Sequence, residues 1–241
     1  MSGHSHFASI KHKKGKADEA RGRAFSKMAR VISVAAKEGG GSPEANYKLR
    51  IAIEQAKEIN MPKENVERAI KRGTGELAGE RLESFVFEAY GPEGIALIIE
   101  GITDNKNRTL GDLKKILTQY NGKLAGEGSV RWMFERKGAI VINFKTQSPN
   151  VKKEDLELMV IEAGAEDIYW HDDFLDIYTK AENLEKVKKN LEKKGIKIES
   201  SSLDWVAKEE VEIKNKEFCE RLFEALDEND DIQEIYSNLK I

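Results

Sequence analysis

The chain has 241 residues, 39% of them hydrophobic and 34% charged, with 40 Lys+Arg against 43 Asp+Glu. That composition supports two or three folded units and excludes a largely disordered chain. The single cysteine, Cys219, excludes an internal disulfide and a cysteine-rich zinc site.

Residues 95–102 form the longest near-apolar run, but Glu100 and Gly101 interrupt it and it is far shorter than a membrane span. Residues 1–9 are polar and lack the apolar centre of a secretory signal, so a cytoplasmic protein is expected. The formal net charge of -3 hides an asymmetry: residues 1–81 carry 17 Lys+Arg against 10 Asp+Glu, and the remainder is acidic. Screening acts over roughly 8 Å at physiological salt, so a polyanion meets the local field and not the average one.

Residues 1–22 show almost no apolar periodicity. Lys11, Lys13, Lys14, Lys16 and Arg21 alternate with Gly3, Gly15 and Gly22, a composition that cannot bury enough surface to offset chain entropy. A flexible basic arm is expected there. Its cations suit phosphate, and His4, His6, His12 and Phe7 can stack on bases. A merely solvated tail is the competing reading. A metal site is discounted, because three imidazoles on a like-charged arm have no carboxylate nearer than Asp18.

Three short helices are predicted next. Phe25, Met28, Ala29, Ile32 and Ala36 form one stripe, ended by Gly39–Gly41; Leu49, Ala52, Ile53 and Ala56 form a second. Asn60-Met61-Pro62 breaks the chain, with Pro62 suited to a helix N1 position, and residues 63–72 turn Val66, Ala69 and Ile70 inward before Gly73 and Gly75. The last two helices have helix-turn-helix spacing, which would expose Lys63, Arg68, Lys71 and Arg72 to a groove or to phosphates. Glu64 and Glu67 on the same helix fit an ordinary bundle with a solvated face equally well.

Beyond residue 82 the pattern alternates. Strands are expected at 84–90 and 95–102, a helix at 107–120 on Leu110, Leu113, Leu117 and Tyr120, and a strand at 129–134. A βαββαβ series follows: strand 139–144, helix 153–163, strands 166–170 and 174–179 joined by a hairpin at Asp172-Asp173, helix 183–194 and strand 196–201. The last segment supplies a strand near Trp205, a helix carrying Phe218, Leu222, Phe223 and Leu226, and a strand near 232–236. The fold class is therefore α+β: an N-terminal three-helix domain, then two ferredoxin-like βαββαβ domains, the third inserted into the second. The expected division is a basic arm at 1–22, a helical domain at 23–81, a discontinuous α/β domain at 82–137 plus 204–241, and an inserted domain at 138–203.

The polar run from Thr103 to Thr109 lies at a strand-to-helix junction. Asn107 or Thr109 can cap the helix, and Lys106 and Arg108 beside its N-terminus make an anion site, with a purely structural loop as the alternative. Residues 122–129 are glycine-rich without a phosphate-loop pattern and are expected to turn flexibly. Nothing forms a catalytic constellation, and acidic pairs such as Glu209-Glu210 and Asp230-Asp231 look like solvated charge. No cofactor, metal, small-molecule substrate or membrane partner is expected.

Several ordered blocks together resemble the YebC/PmpR family: residues 3–16, Gly22-Arg-Ala-Phe-Ser-Lys27, residues 52–57, Asn60-Met-Pro62, residues 67–71, Thr103 to Thr109 and Phe134-Glu-Arg-Lys-Gly138. The resemblance runs through essentially the whole chain. It implies a cytoplasmic, non-catalytic protein of three domains, the third within the second, that binds nucleic acid. Some members are described as DNA-binding regulators of transcription; others act on ribosomes and ease synthesis of proline-rich sequences. Carried onto this chain, it points to Lys11, His12, Lys13, Lys14 and Lys16 and to Asp104, Asn105, Lys106, Asn107 and Arg108; Arg23 and Lys27, in the same basic half, are further expected nucleic-acid contacts. Phe7 stands where the family often has Trp, and Lys106 where Arg is frequent. The expected partners are DNA, ribosomal RNA or the ribosome, with a monomer favoured. The alternative is a protein-interaction adaptor that uses the acidic α/β part and exposed groups such as Trp170.

Overall fold

The structure, a computed structural model, describes residues 17–79, 81–149 and 151–240. Three helices come first: α1 (Ala17–Gly39), α2 (Tyr47–Glu58) and α3 (Lys63–Gly73). Their apolar stripes meet in one core containing Ile32, Ala36, Leu49, Ala52, Ala56, Met61, Val66 and Ala69. Helix α1 starts before the expected boundary and takes in residues 17–22. One glycine inside a helix costs only about 1 kcal/mol, so Gly22 does not break it. The turn into α3 runs through Asn60 at φ 57°, and Pro62 stands at the N-cap, one residue before the N1 position expected of it.

The remaining elements are β1 (Glu83–Tyr90), β2 (Ala96–Thr103), α4 (Lys106–Gln119), β3 (Lys123–Leu124), β4 (Phe134–Asn143), α5 (Lys153–Ala163), β5 (Asp167–His171), β6 (Phe174–Lys180), α6 (Leu184–Lys193), β7 (Ser200–Ala207), α7 (Lys216–Asp227) and β8 (Ile232–Ser237). They build two four-stranded sheets of order β3-β1-β2-β8 and β5-β6-β4-β7, antiparallel throughout. The chain is mixed α+β, and it divides into two compact units. One contains the described residues up to Arg131 together with Ile213–Ser237; the other contains Trp132–Glu212 and the described residues from Asn238 onward.

The second unit has the βαββαβ order, with α5 and α6 covering Ile140, Ile142, Leu175 and Ile177 on one face of the sheet. Ala139, Tyr178 and Val206 cluster on the other face, with Tyr169 beside them. The hairpin between β5 and β6 closes through Asp172 at φ 50°, as its two aspartates suggested. Two pairs of expected strands prove to be single strands. Strand β4 runs unbroken through residues 134–143, and β7 occupies 200–207, pairing with β4 from Phe134↔Ala207 to Val141↔Ser200. Gly138 does not end a strand: a Cβ there would lie 2.8 Å from the Leu184 Cβ, so glycine lets the start of α6 approach the sheet. Residues 196–199 are not a strand. Gly195 takes φ 77° and the Ile196 amide bonds back to Leu191, so Ile196 closes the end of α6 with a buried side chain.

Residues 129–133, where the chain passes from the first unit into the second, likewise form no strand. The buried Glu88 carboxylate accepts the amides of Gly128 and Val130 at 2.8 Å and of Arg131 at 3.0 Å, which holds this segment as a turn. With residues 129–134 and the Trp205 region assigned to the other sheet or to turns, the first unit keeps β1, β2, the two-residue β3 and β8. Its chain order opens with the β1–β2 hairpin. Buried residues of α4 (Leu113, Leu117) and α7 (Cys219, Leu222, Phe223, Leu226) supply its helical layer.

Candidate nucleic-acid interface

The run from Thr103 to Thr109 lies where β2 ends and α4 begins. Asn105, not Asn107 or Thr109, caps the helix: its side-chain oxygen accepts the amides of Asn107 and Arg108, both at 3.1 Å. Those are amides an anion would have used. Thr103 Oγ1 accepts the Asn105 amide at 2.9 Å, which fixes the loop from the strand side.

Asp231, at the entrance to β8, is the centre of this region. Its side chain is only 6% exposed, and its Oδ2 accepts from Thr109 Oγ1 at 2.6 Å, Arg108 Nη2 at 2.8 Å and Thr103 Oγ1 at 3.1 Å. Arg30 of α1 donates to its other oxygen and, at 2.9 Å, to the Ile102 carbonyl. Burial by itself would raise the Asp231 carboxyl, but the donors outweigh it and bring it down to about 2. Arg108 is held more firmly protonated by its bonds to Asp231 and Asp104, and its bond lowers the Asp104 carboxyl in return. A reading of Asp230-Asp231 as solvated charge therefore fails at Asp231. Its partners Arg30 and Arg108 lie 201 and 123 residues away in sequence, so no local pattern announces them.

Nearby, Lys27 of α1 donates to the Asp227 carbonyl at 2.8 Å and to its carboxylate at 2.5 Å. Lys27 and Arg30 thus tie α1 to the end of α7 and the start of β8. Of the loop residues, Asp104 and Asn105 are committed to local bonds, Lys106 pairs with Glu83 at 3.2 Å, and Asn107 is exposed.

Helix α3 presents a different surface. Arg68, Lys71 and Arg72 are exposed and make no ion pair with a described residue, and their i, i+3, i+4 spacing places them together. Lys63 pairs with Glu67 at 3.5 Å. The helix is held close to α1: Ser33 Oγ donates to the Ala69 carbonyl at 2.8 Å, and a Cβ on Gly73 would come 2.2 Å from the Ser33 oxygen. Arg21 and Arg23 are exposed on α1. His4, His6, Lys11, His12, Lys13, Lys14 and Lys16 lie outside the described residues.

Trp170 is not an exposed anchor. It donates to Glu157 at 2.6 Å, meets Phe144 edge-on and carries the Lys153 ammonium 4.3 Å from its ring centre. The exposed large apolar residues are others, Trp132, Leu158 and Ile161 among them. Among the described residues no cluster of three or more His, Cys, Asp or Glu could hold a metal ion, and no helix is long and apolar enough to cross a membrane. The Cys219 thiol is buried, and desolvation pushes it up to about 11, which keeps it protonated and unreactive.

Comparison with known proteins places this geometry. Residues 5–76 match the family model described as the TACO1/YebC protein N-terminal domain, and residues 82–239 match the TACO1/YebC second and third domain. A "Probable transcriptional regulatory protein" of Halothermothrix orenii is 46% identical, covering 100% of this chain and 96% of the relative. One of the same name from Persephonella marina is 48% identical with the same coverage. A conserved hypothetical protein of Aquifex aeolicus, solved by crystallography, superposes with a TM-score of 0.87 at 45% identity over 98% of this chain and 97% of that one. The chain belongs to the TACO1/YebC family.

Proposed function

We propose that this protein is a non-catalytic, nucleic-acid-binding regulator of gene expression that works in the cytoplasm. The observation that carries the reading is the exposed triad Arg68, Lys71 and Arg72 on a helix packed closely against α1. It stands in the same half of the chain as the lysine-rich residues 11–16. The name the relatives carry, "Probable transcriptional regulatory protein", points the same way. Phosphate is the group these cations suit, and phosphate contacts position a protein without reading sequence. A triad that shares its helix with Glu64 and Glu67 is a poor reader of base edges. Structured RNA is therefore the preferred target, with the ribosome its source, and DNA is bound more weakly.

The test is a filter-binding titration against ribosomal RNA and duplex DNA at several salt concentrations. With about six phosphate contacts, affinity should fall roughly 10³-fold between 50 and 200 mM salt. An Arg68→Ala/Lys71→Ala/Arg72→Ala variant should bind weakly with a shallower salt slope and an unchanged melting temperature. Deleting residues 1–16, which precede α1, should do the same. Wild-type affinity in both variants would sink the proposal, and tighter binding to DNA would reassign the target to a promoter.

A further inference from the structure

Helix α5 turns Leu156, Val160 and Ala163 into the core of its unit, with Met159 at the margin. Its opposite side departs from the polar face of an ordinary surface helix. Leu158 is 62% and Ile161 56% exposed, and their spacing of three places them side by side. Carboxylates surround them. Glu154 and Asp155, one turn earlier, are exposed and make no ion pair with a described residue. Glu157 accepts from Trp170, and Glu162 pairs with Lys194 of the neighbouring helix end at 2.6 Å. The one lysine within the helix, Lys153, is drawn over the rings of Phe144 and Trp170.

We propose that this face docks a basic amphipathic helix of another protein. The partner's aliphatic side chains cover Leu158 and Ile161, and its lysines or arginines meet Glu154 and Asp155. Charge selects this occupant. A nucleic-acid strand would face four carboxylates, and a second copy in a two-fold contact would bring the same acids against themselves. Helix-in-groove recognition uses this combination of spaced apolar anchors and flanking charge. The surface is independent of the cations on α3 and does not rest on nucleic-acid binding.

Titration of the full chain, methyl-labelled at Leu and Ile, with a synthetic Leu/Lys amphipathic helical peptide and a matched Leu/Glu peptide tests it. The Leu/Lys peptide should shift the methyl signals of Leu158 and Ile161 before any others. Its affinity should drop at least tenfold in Leu158→Ser/Ile161→Ser, whose melting temperature should not fall, and severalfold in Glu154→Gln/Asp155→Asn. Equal binding of the Leu/Glu peptide, or unchanged affinity in the Ser variant, overturns the proposal. So does a dimer in sedimentation that the Ser variant dissociates, which would give the face to a second copy.

Discussion

The Asp231 carboxylate draws donors from three places in the chain, Arg30, Thr103 and the Arg108–Thr109 pair. Removing it leaves the Arg30 and Arg108 guanidiniums with only the Ile102 carbonyl and Asp104 to bond in a partly dry site. Asp231→Ala should therefore cost about 3 kcal/mol in urea unfolding, whereas Asp104→Ala, at a half-buried position where Arg108 keeps Asp231, should cost clearly less. Because the folded carboxyl lies near 2, below its unfolded value of about 3.9, its stabilisation is fully present above about pH 4. It is lost as pH falls towards 2. The amount is about 2 kcal/mol, and Asp231→Asn should flatten the stability profile across that window. A slope identical to wild type would show that Asp231 does not govern it. The Thr103 to Thr109 loop stood out in sequence by its polarity alone. That signal was real, but polarity does not say whether a loop bonds inward or outward, and most of these side chains bond inward.

Helices were legible at the level of elements because an apolar stripe of period 3.6 survives whatever it packs against. Strands were less so, because glycine and serine that end a strand in one context continue it in another. Gly138 lies inside β4, where Leu184 leaves no room for a Cβ, and β7 starts at Ser200 and runs on past Ser201, where the expected strand 196–201 stopped. Gly73 shows the same physics between helices. Gly73→Ala would force α3 away from the Ser33 carbonyl at a cost of about 1–3 kcal/mol. Because α3 carries Arg68, Lys71 and Arg72, the variant should also weaken RNA binding, and calorimetry beside filter binding checks both. Asn105→Ala should remove the α4 cap at about 1 kcal/mol, readable as a lower unfolding midpoint. An unchanged midpoint would mean water replaces the cap.

Two compact units in one chain, each with its own sheet, predict calorimetric unfolding that departs from a single two-state transition. Acid should act unequally on them. Asp231, Asp104 and Glu88 all have lowered carboxyls in the unit that contains α1. For Glu88, burial opposes the shift and the three turn amides outweigh it. Between about pH 4 and 2 the transition of that unit should therefore move down faster than the other, and coincident transitions at every pH would contradict this. By itself the sequence determined the three-helix start, the α+β class, the βαββαβ series, the family and the concentration of cations at one end. The family follows from its ordered sequence blocks, and the rest from periodicity and local composition, which the chain carries without folding. The tertiary structure alone decided that Lys27 and Arg30 face Asp227 and Asp231, that Trp170 is engaged and that Leu158 and Ile161 are exposed. Each is settled by a residue far away in sequence or by which face of a helix meets the sheet, and no local pattern encodes either.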